Sequence, residues 1–171
     1  MFVYHRIPEH MNGTTLYPLS QLRSLHPQVF DFAAQKYKGR ETVMEQTVGV
    51  LNCKWNDVIH LTPLDPKETL RALREAGGSP ASTNFWKIPV EMLDEDSTVY
   101  FSYKATNAGF EKEYSRFSKS KYKEMNVIPE KTFEYYQKAY AEGGRPLMYH
   151  LVPHILTSRP IDITSVEICS W

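Results

Sequence analysis

Only two cysteines, Cys53 and Cys169, occur in the chain, too few for a disulfide framework, so both are expected as reduced, mostly buried thiols. No stretch approaches the ~18 consecutive apolar residues of a membrane-spanning helix, so no membrane partner is expected. Net charge is absent as well: 20 basic residues face 20 acidic ones, which removes any global field steering the chain toward nucleic acid or anionic lipid. The opening Met1 to Arg6 lacks the charged-then-apolar order of a signal peptide, so a cytoplasmic location is expected. No internal repeat occurs at solenoid or propeller periods. The standard catalytic signatures are missing too. There is no Gly-x-Gly-x-x-Gly, no phosphate-binding Gly-Lys-Ser/Thr loop, no Gly-x-Ser-x-Gly elbow, no His-Glu-x-x-His and no paired Cys-x-x-Cys. Dinucleotide oxidoreductases of the common type, P-loop enzymes and the usual zinc proteases are therefore disfavoured, and no metal site is expected.

What is present reads as one globular domain over residues 1–171. β-Branched and aromatic residues at 2–7 predict a strand. A helical turn follows over Ser20 to Leu25, then a helix from Pro27 with Val29, Ala33 and Tyr37 on one face. Strands are predicted over Thr42–Leu51 and Asp57–Thr62, with Asn52 to Asn56 a polar connection around Trp55. The clearest local signal is Asp65-Pro66 with Glu68, which opens a helix that carries Leu70 and Leu73 and stops at Gly77-Gly78. Further strands are expected at Phe85–Ile88 and Thr98–Tyr103, and a helix from Pro129 to Gly143 with Phe133, Tyr136 and Tyr140 on one face. The last strands are expected at Pro146–Leu151 and Ile161–Ile168. Residues 104–128 are polar and charged without periodicity, and read as a mobile or lid-like loop. Strands and helices do not alternate regularly. That predicts an α+β fold, a mixed or antiparallel sheet of about six to seven strands with three to four helices packed on it.

Histidine is the side chain most readily used for proton transfer near neutral pH. His5, His60 and His150 all fall in predicted strands among apolar neighbours, and His154 follows Pro153. His60 is the acid/base candidate, with Asp57 as the group that orients it; the bland alternative for each histidine is a satisfied, half-buried imidazole. Arg6, Arg40 and Arg145 are candidates for anion contacts, against the alternative of surface ion pairs. The 103–124 stretch interleaves Lys104, Lys112, Arg116, Lys119, Lys121 and Lys123 with Tyr103, Phe110, Tyr114, Phe117 and Tyr122, while Glu111, Glu113 and Glu124 dilute the charge. Such interleaving can neutralise phosphates and stack bases, which makes the stretch a candidate contact for a nucleotide or nucleic acid.

Two resemblances add to this. His60-Leu61-Thr62 resembles the His-x-Thr element of the two-histidine phosphoesterases, for which His150-Leu151-Val152 is the best second copy, although it lacks the hydroxyl. Tyr4-His5-Arg6-Ile7 resembles the opening strand of DNA-modifying ADP-ribosyltransferase toxins, where that family binds NAD. Val58 to Pro66 is similar to a second strand of the family, and Val152-Pro153-His154-Ile155 with Ile161 and Ile163 to its ending. The resemblance implies NAD as the cofactor-like ligand, with Tyr4, His5 and Arg6 near it. The family's glutamate is missing: Arg145-Pro146-Leu147-Met148 stands in its neighbourhood, and Glu142 is the nearest acid. Three functions are thus open. The first is a small nucleotide- or NAD-using enzyme with a cleft lined by strand histidines. The second is a metal-independent phosphoesterase or ribonuclease using His60 and His150. The third is a non-catalytic module binding RNA or protein.

Overall fold

A computed structural model describes the backbone of residues 1–171 and every side chain except those of Lys123 and Glu124. Strand β1 (Phe2–Arg6) and the short β2 (Thr15–Leu16) lead into helices α1 (Leu19–Leu25) and α2 (Pro27–Ala34), which a 3-10 turn extends over Gln35–Tyr37. A second 3-10 turn (Glu41–Glu45), β3 (Thr47–Val48), β4 (Cys53–Lys54) and a third turn (Trp55–Asp57) precede β5 (Ile59–Leu61). Helix α3 (Pro66–Glu75), β6 (Asn84–Pro89), β7 (Thr98–Thr106), β8 (Gly109–Arg116) and helix α4 (Glu130–Ala141) follow, then β9 (His154–Thr157), β10 (Ile161–Asp162) and β11 (Glu167–Ser170).

Every strand pairing is antiparallel. The α+β class holds, but the strands are divided among four sheets instead of one. A three-stranded sheet has the order β1-β6-β11, a four-stranded sheet the order β5-β9-β7-β8, and β2–β10 and β3–β4 form two small ribbons. The two larger sheets meet at a single bridge between Tyr4 of β1 and Thr62 just beyond β5, with N–H···O distances of 2.8 and 3.0 Å. Beyond it the strands part. On one side the Tyr122 hydroxyl fills the gap, donating to the Phe2 carbonyl and reaching the Pro63 carbonyl at 3.3 Å. On the other side, where continued pairing would set Arg6 opposite His60, the gap stays open.

Local chemistry explains the elements that matched expectation. Asp65 caps α3 by accepting from the Lys67 N–H at 2.9 Å, Pro66 occupies the first helical position, and Leu70 and Leu73 are buried. Gly77 ends the helix with φ +97°, a left-handed conformation that glycine adopts without a Cβ penalty. In α4, Tyr136 is fully buried and its hydroxyl donates to the Met148 carbonyl.

Four segments depart from the sequence reading, the first being Ile161–Ile168, which is split into β10 and β11 in different sheets with a turn between them. Residues 104–128 are not an irregular loop: β7 and β8 form a long hairpin with Thr106 paired to Gly109, and a 3-10 turn covers Lys119–Met125. Because β8 is an edge strand exposed along most of its length, it shows no apolar alternation, and its register rests on backbone pairing and opposite charges such as Lys104 facing Glu111. Thr42–Leu51 is a 3-10 turn followed by only two strand residues. Residues 146–151 form no strand, 148–151 being turns, and the strand begins at His154 instead.

Candidate functional site

The open gap between the parted strands is closed from outside by α1 and α2, and a cavity of about 150 Å³ remains beneath them. His5 comes from β1, His60 from β5, Leu22 from α1, and Val29 and Ala33 from α2. Lys36 and Tyr37 come from the 3-10 extension, and Trp55 and Asn56 from the turn before β5. The face predicted from Val29, Ala33 and Tyr37 is real, but in α2 it lines this cavity: no residue of α2 itself is buried in the core.

Electrostatically the walls are one-sided. The lining residues include a lysine and three histidines (Lys36, His5, His10 and His60) and no aspartate or glutamate. The His60 Nε2–H donates to the Trp55 carbonyl at 3.1 Å, and the two rings lie 4.3 Å apart. That bond fixes the tautomer and leaves Nδ1 as an acceptor. Burial pushes the His60 pKa down to about 3, with the Lys36 cation and His154 lowering it further and the Trp55 carbonyl opposing. Burial likewise takes His5 down to about 4, again helped by Lys36. Both imidazoles are therefore neutral at pH 7. Lys36 is exposed as a residue, yet its ammonium is surrounded closely enough for burial, then repulsion from Arg40, to lower its pKa. The ammonium lies over the face of Tyr37, 5.1 Å from the ring centre, and among the described residues it forms no salt bridge.

Two buried polar atoms of lining residues, His5 Nδ1 and Asn56 Oδ1, have no hydrogen-bond partner among the described residues. The Arg6 backbone comes near enough to His5 to raise its pKa slightly, but no hydrogen bond of normal geometry reaches Nδ1. An unpaired buried polar atom costs roughly 1–3 kcal/mol, and both atoms are enclosed by the protein itself, although their residues contribute to the lining.

Placement of the other expected site residues is mixed. Asp57 does not orient His60: its carboxylate accepts from the Lys54 N–H at 2.8 Å, closing the turn, and Trp55 holds the imidazole instead. His150 is not part of the cavity; its ring lies 4.0 Å from that of Tyr135 against α4. His60 and His150 are thus not gathered into one pocket. His154 donates from Nδ1 to the Val152 carbonyl at 2.7 Å and packs near Phe101. Tyr4 is buried with its hydroxyl directed to Asp65 at 3.4 Å, away from the cavity. Arg6 and Arg145 are exposed and do not line it. Arg40 binds the Lys36 carbonyl at 2.9 and 3.1 Å and acts on the cavity only through its charge.

The chain matches no protein family, no curated protein and no solved structure.

Among the described residues no group of three or more His, Cys, Asp or Glu side chains is arranged to hold a metal, and no helix is long and apolar enough to cross a membrane. Within the basic and aromatic stretch most rings are packed, whereas Lys104, Phe110, Arg116, Lys119 and Lys121 are exposed. Tyr103 and Tyr114 pack on Phe101, while Lys112 lies 4.6 Å over Trp55 and donates to Gln46. Lys123 and Glu124 of that stretch lie outside the residues whose side chains are described. Lys36 is the site residue that sequence reasoning missed. A signal existed, because it lies seven residues after Val29 and three after Ala33, a cation on an apolar helical stripe.

Proposed function

We propose that the cavity binds the ring-bearing, anionic part of a phosphorylated nucleotide, with NAD the leading candidate, and that the chain is a small nucleotide-using protein on an ADP-ribosyltransferase-like plan. One observation carries the reading: a mostly apolar cavity with no carboxylate in its lining is bordered by two neutral histidines and by Lys36, whose ammonium has no salt-bridge partner among the described residues. An apolar chamber with a few convergent polar groups is the common form of a small-molecule site. A volume of about 150 Å³ suits a single aromatic ring. Lys36 then offsets the negative charge, and His5 and His60 act as neutral hydrogen-bonding groups.

Binding is better supported than group transfer. The family that the chain resembles uses a glutamate to stabilise its developing sugar cation, and the cavity has no carboxylate. Glu142 is exposed at the end of α4, 3.9 Å from Lys138. Proton transfer by His60 at neutral pH requires its pKa to rise by several units, since an effective acid or base titrates near the working pH. A bound phosphate acts in that direction, because an adjacent negative charge favours imidazolium.

Calorimetric titration with NAD, AMP and inorganic phosphate tests the proposal. NAD and AMP are expected to bind and to raise the melting temperature, and Lys36→Met to weaken both by about tenfold, roughly the ~1.4 kcal/mol of one charge-assisted bond. Absence of heat and of any thermal shift at millimolar NAD and AMP would remove the nucleotide reading.

A further inference from the structure

On the side of α2 the cavity adjoins a second space. His10, Met11, Asn12 and Val29 form part of its wall and also part of the wall of a second, outer space of about 640 Å³. That outer groove runs over the junction of α1 and α2, beside Leu25, His26 and Phe32. Leu25 and Phe32 are each 50% exposed, so two of the chain's large exposed apolar side chains border the same groove. Phe32 is also ordered by a neighbour: the His10 ring stacks on it with centroids 3.8 Å apart and planes 18° from parallel. His26 is held by the Asn12 amide, which donates to its Nδ1 at 3.3 Å.

We propose that this groove is the second subsite of a two-part ligand, taking a second planar group of the nucleotide against the outward side of Phe32. The inference rests on the nucleotide reading of the inner cavity and extends it. Size gives the first argument. The inner space takes one ring, so the rest of any nucleotide lies outside it, and the adjoining outer space is roomy enough to receive it. The division of charge gives the second. The cation, Lys36, lines only the inner space, whereas a carboxylate, Glu9, lines only the outer one. The anionic part of the ligand is therefore held at the rim beside Lys36, and the outer groove suits an uncharged ring with its sugar hydroxyls, from which Glu9 can accept hydrogen bonds. A half-exposed phenylalanine already held flat by a stacked histidine is a platform with little rotamer freedom left to lose on binding.

The test compares AMP and nicotinamide mononucleotide, each with one ring, with NAD, which has two, by calorimetry on the full chain. NAD is expected to bind at least about tenfold more tightly than either mononucleotide, in line with the stacking of one additional base. Phe32→Ala is expected to bring NAD down to the mononucleotide level while leaving mononucleotide affinity unchanged, and Phe32→Trp, which keeps a flat surface, to preserve the difference. Circular dichroism and the melting temperature verify that these variants fold, as the exposure of Phe32 predicts. Equal affinity for all three ligands, or a Phe32→Ala variant that weakens all three alike, overturns the second subsite while leaving the inner one standing. If none of the three binds, the inner reading fails and the outer one with it.

Discussion

At the scale of single residues, the most telling groups are imidazoles kept neutral by their surroundings. His5, His60 and His154 each titrate below the ordinary value of 6.5 in the folded chain, at about 4, 3 and 4, with burial the first cause in each case. As pH falls, the unfolded chain takes up these protons first. Their contribution to stability is therefore complete above about pH 6.5 and is lost progressively as pH drops toward 3 to 4. Urea unfolding at pH 7.5 and pH 5 is expected to differ by about 1–2 kcal/mol per histidine, and His60→Gln to reduce that difference. A stability that stays flat between those pH values would show that the rings are hydrated instead of enclosed. NMR titration adds a functional readout: binding of AMP is expected to raise the His60 pKa. The sequence marked His5 and His60 as candidates because both lie in apolar strands. It did not reveal that Trp55, five residues before His60, and not Asp57, holds the imidazole. That bond depends on a backbone carbonyl, and a carbonyl leaves no trace in residue identity.

Among the elements, legibility followed the range of the forces involved. Helix α3 was readable end to end because its determinants are local: a capping aspartate, a proline in the first turn and a terminating glycine pair. Asp65→Ala is expected to lower stability by about 1 kcal/mol in chemical denaturation, since it removes the side-chain acceptor for the Lys67 N–H. The β7–β8 hairpin was not readable. Its second strand is exposed and charged, so hydrophobic alternation is absent, and the turn at Asn107-Ala108 before Gly109 is its main local signal. Gly109 has φ +129°, a conformation that side chains with a Cβ rarely adopt. Gly109→Val is expected to cost about 1–3 kcal/mol, or to loosen the hairpin, seen as faster amide exchange in 109–116 with β1 and β6 unaffected. Equal loss of protection in all of those strands would count against the hairpin as a separately opening unit.

For the whole molecule, the decisive feature is the join between the two larger sheets. One bridge, Tyr4 to Thr62, and the hydroxyl of Tyr122 hold β1 against the end of β5. Tyr122→Phe leaves the half-buried Phe2 carbonyl and N–H and the buried Pro63 carbonyl short of a partner. It is expected to destabilise the chain by about 1–3 kcal/mol and to increase amide exchange at Tyr4 and Thr62. If it does neither, the Tyr4–Thr62 bridge and side-chain packing hold the two sheets without the Tyr122 hydroxyl. The amino-acid order by itself determined the α+β class, the positions of α3 and α4, and the apolar face of α2, because capping, turn chemistry and helical periodicity act over a few residues. Only the tertiary structure decided that the strands divide into four sheets, that β1 and β5 part after one bridge, and that His5, His60 and Lys36 border a single cavity while His150 lies elsewhere. Those outcomes depend on contacts between segments far apart in the chain, such as those carrying His5 and His60, which are 55 positions apart. Pairing partners and the faces that strands present are fixed by packing of the assembled chain, which no local pattern encodes.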